Sequence, residues 1–342
     1  MKIVLLHIIC LVAISSIHSQ NKFDISEAET FYLNINNESY DGPEKIPFKE
    51  FIIKDFRFDS TKFGYIKKTK VSLKKNNSEG LSEFLNAYYK KSLDPNSDKS
   101  LVVVLKKLWI QKDAFDIVSE DKIRASAGFG SRDNTGACIA DINVFCQSGD
   151  KLYPLIKITD NFFYYPYNQY QLADFLLLPF DSLIKKASVI NISQATANKK
   201  AYIWEEVNAN YSSRYEIPIL TATSSIKGVF KTFDDFKKNE TSYPDFTTKK
   251  SKLTDELYIG EKGKEELLAD FWGFYDGKDY YIKCGFNFYK LYRQNNSWDI
   301  YGSKYITENH HQYSIDGITL STVNPTSVNK PLQLDMETGK LY

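Results

Sequence analysis

The sequence predicts an α+β protein in which an N-terminal β-α-β-β-β-α sandwich domain is followed by a smaller, mainly antiparallel β domain with one short helix. First, residues 47–190 alternate strand-like apolar runs with two segments of helical periodicity. Second, residues 216–315 contain one short helical segment and several strand-like runs joined by turn sequences. Third, the 342-residue chain is 42% hydrophobic and 25% charged, a composition typical of globular proteins with a buried core.

The first 19 residues have the layout of a secretory signal peptide. Lys2 precedes an apolar run over residues 3–14, and small serines follow this run up to Ser19. The run is shorter than the roughly 20 apolar residues that a membrane-spanning helix needs, and no later run reaches that length. We therefore expect a signal peptide over residues 1–19, no membrane span, and an exported protein that is periplasmic, on the cell surface or secreted.

The charge balance gives no reason to expect nucleic acid or an anionic membrane as a partner. The chain has 44 Lys+Arg and 43 Asp+Glu, so its formal net charge is +1, and removing the leader with Lys2 brings this charge to zero. Only five of the basic residues are arginines, the side chains best suited to phosphates and base edges. We expect no nucleic-acid partner.

The elements of the sandwich domain follow a polar N-terminal arm at residues 20–46. Residues 51–73 are interpreted as one long strand or a bent pair of strands. Residues 81–93 have helical periodicity, and Ser78 is the expected N-cap of that helix. The apolar stripe of this helix consists of Leu81, Phe84, Leu85 and Tyr88. The remaining predicted elements are strands at 101–110, 123–129 and 137–146, a following segment at 153–165, and a helix at 171–187 that contains Pro179.

The second half of the chain is divided by composition. Residues 191–215 are rich in Ser, Asn, Ala and Lys and are interpreted as a linker. An aromatic-rich β domain is expected at residues 216–315. The C-terminal tail at residues 316–342 is polar and turn-rich, and it either docks as an extended strand or stays mobile.

Two local signals predict particular elements in the second domain. Thr232 and Asp235 have the spacing of a capping box at the start of a short helix, with Phe233 and Phe236 facing inward. Asp276-Gly277, placed between two aromatic-rich runs, predicts a hairpin with a type I′ turn.

Few cysteines and histidines remain once the leader is removed. Cys138 and Cys146 lie on the same face of one predicted strand, about 26 Å apart at roughly 3.3 Å per residue, which is too far for a disulfide bond. We expect both to be buried free thiols. His310 and His311 are adjacent and bring no third ligand with them, so neither a metal site nor a cysteine–histidine or serine–histidine catalytic pair is expected. No cofactor is expected.

Aromatic residues are concentrated between residues 271 and 305, where 13 of 35 residues are Phe, Trp or Tyr, against 15% in the whole chain. They occur at both odd and even positions of the predicted strands and therefore face both sides of the sheet. One side fills the core, and the other contacts the first domain, a partner or a ligand. Stacked Tyr and Trp rings suit sugar rings and flat apolar surfaces. The candidate ligand-binding residues are Trp272, Tyr275, Tyr281, Trp298 and Tyr301. The alternative is that both faces are packed within the protein.

A row of charges at Asp55, Arg57 and Asp59 shares one face of a predicted strand, with Phe56 and Phe58 on the other. One interpretation is a pair of carboxylates tuned by a cation. Same-face neighbours on a strand lie roughly 6.6 Å apart, and the two carboxyls of a glycoside hydrolase lie about 5–9.5 Å apart. The other interpretation is an ordinary solvent-exposed strand face.

Two resemblances bear on the setting of the protein. The order of elements in residues 47–190 resembles the β-α-β-β-α domains of periplasmic envelope proteins, such as auxiliary components of lipid-export machinery. The phrases GVFKTFDDF (228–236), FWGFYDG (271–277) and PLQLDMETGKLY (331–342) resemble phrases of uncharacterised exported proteins of Gram-negative bacteria. The second resemblance implies a bacterial envelope setting and brings no catalytic residues with it.

Together these observations favour an exported, non-enzymatic binding or assembly protein of the cell envelope. Its aromatic-rich β face would bind a glycan or an envelope protein. The alternative is a glycan hydrolase that uses two Asp or Glu carboxyls beside the aromatic sheet.

Overall fold

The computed structural model describes residues 24–33, 39–75, 77–112, 136–164, 172–197, 199–250, 254–261, 263–302, 312–315, 318–321 and 330–342. It confirms the predicted α+β class, with several sheets and few helices. The leader, the predicted strand at 123–129, His310 and His311 lie outside the described residues.

A seven-stranded sheet organises the first half of the chain. Its strands are β1 (Thr30–Tyr32), β2 (Phe51–Asp55), β3 (Gly64–Ile66), β4 (Thr69–Ser72), β5 (Lys99–Lys112), β6 (Gly136–Ser148) and β7 (Lys151–Tyr164). Their order is β1-β4-β3-β5-β6-β7, and β2 also pairs with β5. Strands β2 and β3 run parallel to β5, whereas β6 and β7 continue the sheet in antiparallel fashion.

Strand β5 is buried on both faces, which explains its continuous apolar run. The helices of the described chain are α1 (Asn77–Tyr88), α2 (Leu172–Ser188), α3 (Ile192–Ala197), α4 (Trp204–Ser212), α5 (Pro218–Thr221) and α6 (Phe233–Lys238). Leu101 and Val103 pack in one core with apolar residues of α1 and α2. Val102 and Val104 point to the other face, where they pack with Tyr211 of α4.

The predicted helices of this half are present with small differences. Helix α1 begins at Asn77, so Ser78 lies within its first turn and not at the N-cap. It ends at Tyr88, and the chain then tightens into a turn in which the Lys90 N–H donates to the Ala87 carbonyl. The expected apolar stripe is confirmed, since Leu81, Phe84 and Leu85 are buried. Helix α2 accommodates Pro179 within a single helix.

Residues 51–73 form three strands, which corrects the expectation of one long strand or a bent pair. The chain leaves the sheet after Asp55 and returns at Gly64. In this loop the Asp59 carboxylate accepts hydrogen bonds from the Thr61 N–H (2.9 Å) and the Thr61 hydroxyl (2.6 Å). An Asp side chain that bonds two residues ahead stabilises a turn, and this turn lies within the loop between β2 and β3.

Two segments outside the expected sandwich domain also contribute to it. The N-terminal arm supplies β1, which pairs in parallel with β4, and it buries Ile25. Residues 191–215, interpreted as a linker, form α3, α4 and a 3-10 turn at Ser213–Tyr215. Helix α4 packs Val207 against the sheet. An apolar pair one turn apart among Asn and Ser is a weak signal, and the sheet face provides the burial that makes this segment helical.

The described residues of the second half form three further sheets. Its strands are β8 (Gly228–Phe230), β9 (Phe246–Lys250), β10 (Asp255–Ile259), β11 (Glu266–Leu267), β12 (Gly273–Tyr275), β13 (Tyr280–Cys284), β14 (Asn287–Gln294), β15 (Ser297–Gly302), β16 (Gln312–Ile315), β17 (Ile318–Ser321) and β18 (Lys330–Leu334). A six-stranded sheet has the order β18-β15-β14-β13-β12-β8, a three-stranded sheet has the order β11-β10-β9, and β16 pairs with β17. Strand β18 places part of the tail on this six-stranded sheet, where Leu332 and Leu334 are buried. This part of the tail is therefore docked as an extended strand.

The local signals of this half are largely confirmed. Thr232 caps α6 by accepting from the Asp235 N–H, and the Asp235 carboxylate accepts from the Thr232 N–H, as a capping box requires. The predicted hairpin joins β12 to β13, but its loop has four residues and is not a two-residue type I′ turn. The Asp276 carboxylate accepts from the Lys278 and Asp279 N–H groups, both at 2.7 Å, which favours the longer loop.

No helix in the described part of the chain is long and apolar enough to cross a membrane.

Candidate functional site

One face of the six-stranded sheet is covered by helix α6 and its neighbours. The Phe236 ring of α6 lies at the centre of this packing, with its centroid 4.6 Å from that of Trp272 and 5.8 Å from that of Trp298. Tyr275 stacks on Tyr280 at a centroid distance of 4.4 Å. The rings on this face therefore contact one another and the helix above them.

The opposite face is covered in a similar way by the three-stranded sheet. Phe274 stacks on Tyr281 with centroids 4.8 Å apart. Phe246 of β9 meets Phe274 edge-on at 5.3 Å. Further along this face, Asp299 of β15 contacts residues of the first sheet.

The predicted ligand-binding residues therefore do not form one surface. They are Trp272, Tyr275, Tyr281, Trp298 and Tyr301. The first two and Trp298 belong to the core under α6, and Tyr281 belongs to the core under β9. Tyr301 lies beneath the Lys68 ammonium, 5.3 Å from its ring centroid. Trp298 is only 4% exposed. A sugar ring needs an open aromatic face, and these rings are mostly stacked on protein.

The charged row is buried, which corrects the interpretation as a solvent-exposed face. Arg57 is 5% exposed, and its Nη2 lies 2.6 Å from the Asp55 carboxylate. Its Nη1 donates to the carbonyl oxygens of Lys62 (2.7 Å) and Leu108 (3.3 Å). A buried guanidinium with these partners stabilises the loop after β2, since its charge and its hydrogen bonds are satisfied.

One carboxyl pair near the aromatic sheet, Asp59 and Asp299, is closed to a substrate. Asp59 and Asp299 approach each other through the Lys62 ammonium, which contacts both carboxyls. The side chains of all three residues are at most 1% exposed. A glycosidic oxygen has no route to this pair.

The cysteine prediction is confirmed. Cys138 and Cys146 are free and buried, at opposite ends of β6, and Cys284 is also free and buried. Burial raises the pKa of the Cys138 and Cys284 thiols, which keeps them protonated and unreactive. Among the described residues, no three His, Cys, Asp or Glu side chains are grouped closely enough to hold a metal ion.

A cleft of ≈ 570 Å³ lies where helix α4 meets β6 and β7. This volume is in the range of cavities that hold small molecules, about 300–1,000 Å³. Its lining residues are Asn143, Val144, Phe145, Pro154, Leu155, Ile156, Lys157, Lys199, Lys200, Tyr202, Glu206, Val207, Asn210 and Tyr211. A bulge between Val144 and Phe145 of β6 disturbs the register with β7 at this point. Bulges re-aim side chains, and this one adds Leu155 to the wall of the cleft.

The charge around the cleft is positive. Among the described residues that line it are Lys157, Lys199 and Lys200 and one acid, Glu206. The Glu206 carboxylate accepts from the Ile203 N–H at 3.1 Å, so it serves as a cap of α4. Lys199 donates to the Pro154 carbonyl at 2.7 Å, which holds one ammonium at the rim.

Hydroxyl and amide groups lie on the inner wall of the cleft. The Asn143 amide donates to the Tyr211 hydroxyl at 2.6 Å. Burial raises the pKa of Tyr211, so its phenol stays protonated and keeps a proton to donate. Asn143 is the cross-strand partner of Lys157, which places an ammonium next to this pair. The arrangement offers an apolar body, neutral hydrogen-bonding groups and cations at the edge.

Sequence reasoning did not identify this cleft, because its walls come from segments assigned to different domains. The available signal was Lys199-Lys200 followed by Tyr202, next to the apolar pair Val207 and Tyr211. Only the packing of α4 on the sheet turns these residues into one site.

Comparisons of the chain with protein-family models, with curated proteins and with solved structures find no match to it.

Proposed function

We propose that the chain is an exported, non-enzymatic binding protein of the cell envelope and that its ligand is a small anion with an apolar body. The observation that carries the proposal is the cleft under α4, in which three lysines surround an apolar floor. The apolar leader of the sequence supports the part of the proposal that concerns export.

The cleft supports this ligand class by charge and by wall chemistry. Its apolar walls exclude water from the body of a ligand, as Phe145 and Val207 are almost fully buried. Lys157 and Lys200 are exposed at its edge, and no carboxylate of the described chain lies within ion-pair distance of either ammonium. An anionic head group would therefore meet unneutralised cations.

The aromatic sheet is the weaker candidate for a glycan or protein partner. Its rings are engaged with α6 on one face and with β9 on the other. We therefore place the ligand at the cleft, and a glycan or an envelope protein on the sheet would have to displace one of these elements.

The experiment compares a charged probe with a neutral one by isothermal titration calorimetry. Decanoate is expected to bind the full chain with a lower Kd than decan-1-ol, which has the same apolar chain without the negative charge. The double variant Lys157→Gln, Lys200→Gln is expected to weaken decanoate binding about tenfold, since each exposed charge contact contributes about 0.2–1 kcal/mol. Binding of decan-1-ol should change little.

Lys278→Gln is the matched control, because this lysine is equally exposed but lies in the β12–β13 hairpin. It should leave both affinities unchanged. Equal binding of the two probes, or a loss of affinity in the control as large as in the double variant, would exclude the cleft as an anion site.

A further inference from the structure

The buried Lys62 ammonium joins two carboxyl groups that belong to different halves of the molecule. Lys62 lies in the loop before β3, and its Nζ contacts the Asp59 carboxylate of the same loop. The same Nζ lies 2.9 Å from Oδ2 of Asp299, on strand β15 of the six-stranded sheet. Lys62 is 1% exposed and Asp299 is fully buried. The aromatic rings of Tyr65 and Trp109 lie close to the ammonium, at 5.3 and 5.9 Å.

The two carboxyls have different environments, and their pKa values are shifted in opposite directions. Oδ1 of Asp59 accepts from the Thr61 N–H (2.9 Å), the Thr61 hydroxyl (2.6 Å) and the Asn295 amide (3.1 Å). Burial alone would raise the pKa of Asp59, but the Lys62 charge and these hydrogen bonds lower it. The Lys62 charge and these hydrogen bonds therefore stabilise the ionised form of the Asp59 carboxyl inside the protein.

Asp299 has the opposite environment. Its Oδ2 accepts from Lys62 and from the Tyr65 hydroxyl (2.7 Å), whereas its Oδ1 is buried without a hydrogen-bond partner. Burial raises the pKa of Asp299, and this effect outweighs the attraction of Lys62. A buried carboxyl group with one unsatisfied oxygen is costly to keep in a protein interior.

We propose that Lys62 and Asp299 condense into an isopeptide bond that joins the loop before β3 to strand β15. The Lys62 ammonium transfers one proton to the Asp59 carboxylate, and the free amine attacks Cγ of the neutral Asp299 carboxyl. The Tyr65 hydroxyl donates to the carbonyl oxygen as negative charge develops on it. A second proton of the amine passes to the departing hydroxyl, the C–O bond breaks and one water is released. One ammonium, one carboxylate and one carboxylic acid thus become an amide, a carboxylic acid and water, with no change in net charge.

The surroundings hold the reacting groups together and suit the product. The reacting groups are held at contact distance by two sheets, which removes most of the entropy cost of bringing them together. In the product, the amide oxygen accepts from Tyr65, the amide N–H donates to Asp59, and the unsatisfied oxygen of Asp299 has left as water. A cavity of ≈ 30 Å³ lined by Asp59 and Trp109 adjoins the cluster and has room for one water molecule.

A second lysine–aspartate pair, in which the aspartate is buried and the lysine half-buried, shows that contact alone does not lead to an isopeptide bond. Lys107 Nζ lies 2.6 Å from Oδ2 of Asp335. Both oxygens of this carboxyl are satisfied, because Oδ2 also accepts from Tyr342 (2.6 Å) and Oδ1 accepts from the Glu337 N–H (2.9 Å). The pKa of Asp335 is lowered, so this carboxyl stays ionised and is a poor electrophile. We expect no bond there.

The test is the intact mass of the purified protein, followed by mapping of its proteolytic peptides. The mass should be lower than that of the same polypeptide by one water molecule, not by two. A branched peptide should join residue 62 to residue 299. A full, unmodified mass for the folded protein would overturn the proposal, and so would a bond between Lys62 and Asp59.

Variants separate the chemistry from folding. Asp59→Asn removes the proton acceptor and should restore the full mass, and Lys62→Met removes the nucleophile and should do the same. Lys107→Met is the matched control, which should still lack one water molecule. If the Asp59→Asn protein still carries the cross-link, Asp59 is not the base and the proposed mechanism fails. Circular dichroism of each variant establishes that it is folded.

Discussion

Individual buried charged residues lie at the boundary between the half with the seven-stranded sheet and the half with the six-stranded sheet. Their partners determine the role of each residue. Asp335 follows strand β18. Its Oδ2 accepts hydrogen bonds from the Lys107 ammonium on the first sheet and from the Tyr342 hydroxyl. Burial favours the neutral form of Asp335, but the Lys107 charge and these hydrogen bonds more than offset it, so the pKa is lowered. Burial opposes the charge of Lys107 as well, and Asp335 nevertheless raises its pKa.

We predict that Asp335→Asn destabilises the protein by about 3 kcal/mol near neutral pH, because it leaves Lys107 without its buried counter-ion. A carboxyl with a lowered pKa stabilises the fold above its unfolded value of 3.8, and this contribution is lost as the pH falls through the folded pKa. The difference in Tm between the wild type and the variant should therefore be constant from pH 7 to pH 5 and shrink below pH 4.

Thermal unfolding at several pH values measures this difference. Asp98→Asn is the matched control, since Asp98 pairs with Lys99 but is 76% exposed. An exposed pair contributes little, so its loss should barely change Tm at any pH. A difference between wild type and Asp335→Asn that persists undiminished at pH 2 would contradict the proposed role of the charge.

At the scale of elements, helix α6 is the clearest case of local sequence determining structure. Its six residues are too few to form a stable isolated helix. The capping box at its start and Asn239 in a left-handed conformation at its end satisfy the terminal backbone groups. Phe236 then anchors it on the six-stranded sheet, where it covers Trp272 and Trp298.

We predict that Thr232→Ala destabilises the protein by about 1 kcal/mol, the usual cost of removing an N-cap oxygen. Thr232 is exposed, so the substitution removes a hydrogen bond and almost no packing. Urea unfolding of the full chain gives the difference as a shift in midpoint at unchanged slope. Thr232→Ser keeps the oxygen and should restore most of the stability, and an equal loss in Thr232→Ser would show that the cap is not the cause.

The elements predicted from sequence are those fixed by their own residues. The periodicity of α1, the apolar run of β5 and the alternation that buries Cys138 and Cys146 in β6 all depend on neighbours in the chain. The missed features depend on partners far away in sequence. Helix α4 needs the face of β5, and the cleft needs α4, β6 and β7 together.

Partners far away in sequence also determine how the charged row and the aromatic residues are packed. An Asp-Arg-Asp alternation suggests a solvent-exposed strand face. Burial of Arg57 is favourable because the Asp55 carboxylate and the carbonyls of Lys62 and Leu108 all bind its guanidinium. Aromatic residues at both odd and even strand positions are equally consistent with a binding face and with two covered faces. Which of these holds depends on α6 and on the sheet that contains β9, and neither contact is encoded in residues 271–305.

At the scale of the whole molecule, the two halves meet through polar groups that are already satisfied across the boundary. Arg214, next to α4, donates to the Phe56 carbonyl at 2.7 Å and pairs with Glu337 at 2.8 Å. The Asn296 N–H, in the turn between β14 and β15, donates to the Phe58 carbonyl. Separating the halves would expose Lys107, Asp335 and these backbone groups at once. The boundary therefore resembles the inside of one domain more than a hinge between two.

We predict that the wild-type protein unfolds in a single cooperative transition. Opening the boundary would leave buried charges without their partners, so neither half is stable alone at the temperature where the other melts. The halves therefore melt together. Differential scanning calorimetry should give one peak whose calorimetric enthalpy equals the van't Hoff enthalpy. Arg214→Ala removes its ion pair with Glu337, which crosses the boundary, and should lower Tm while keeping one peak, because Lys107–Asp335 remains. Two resolved peaks in the wild type would mean that the halves fold independently and that the charges between them contribute little to cohesion.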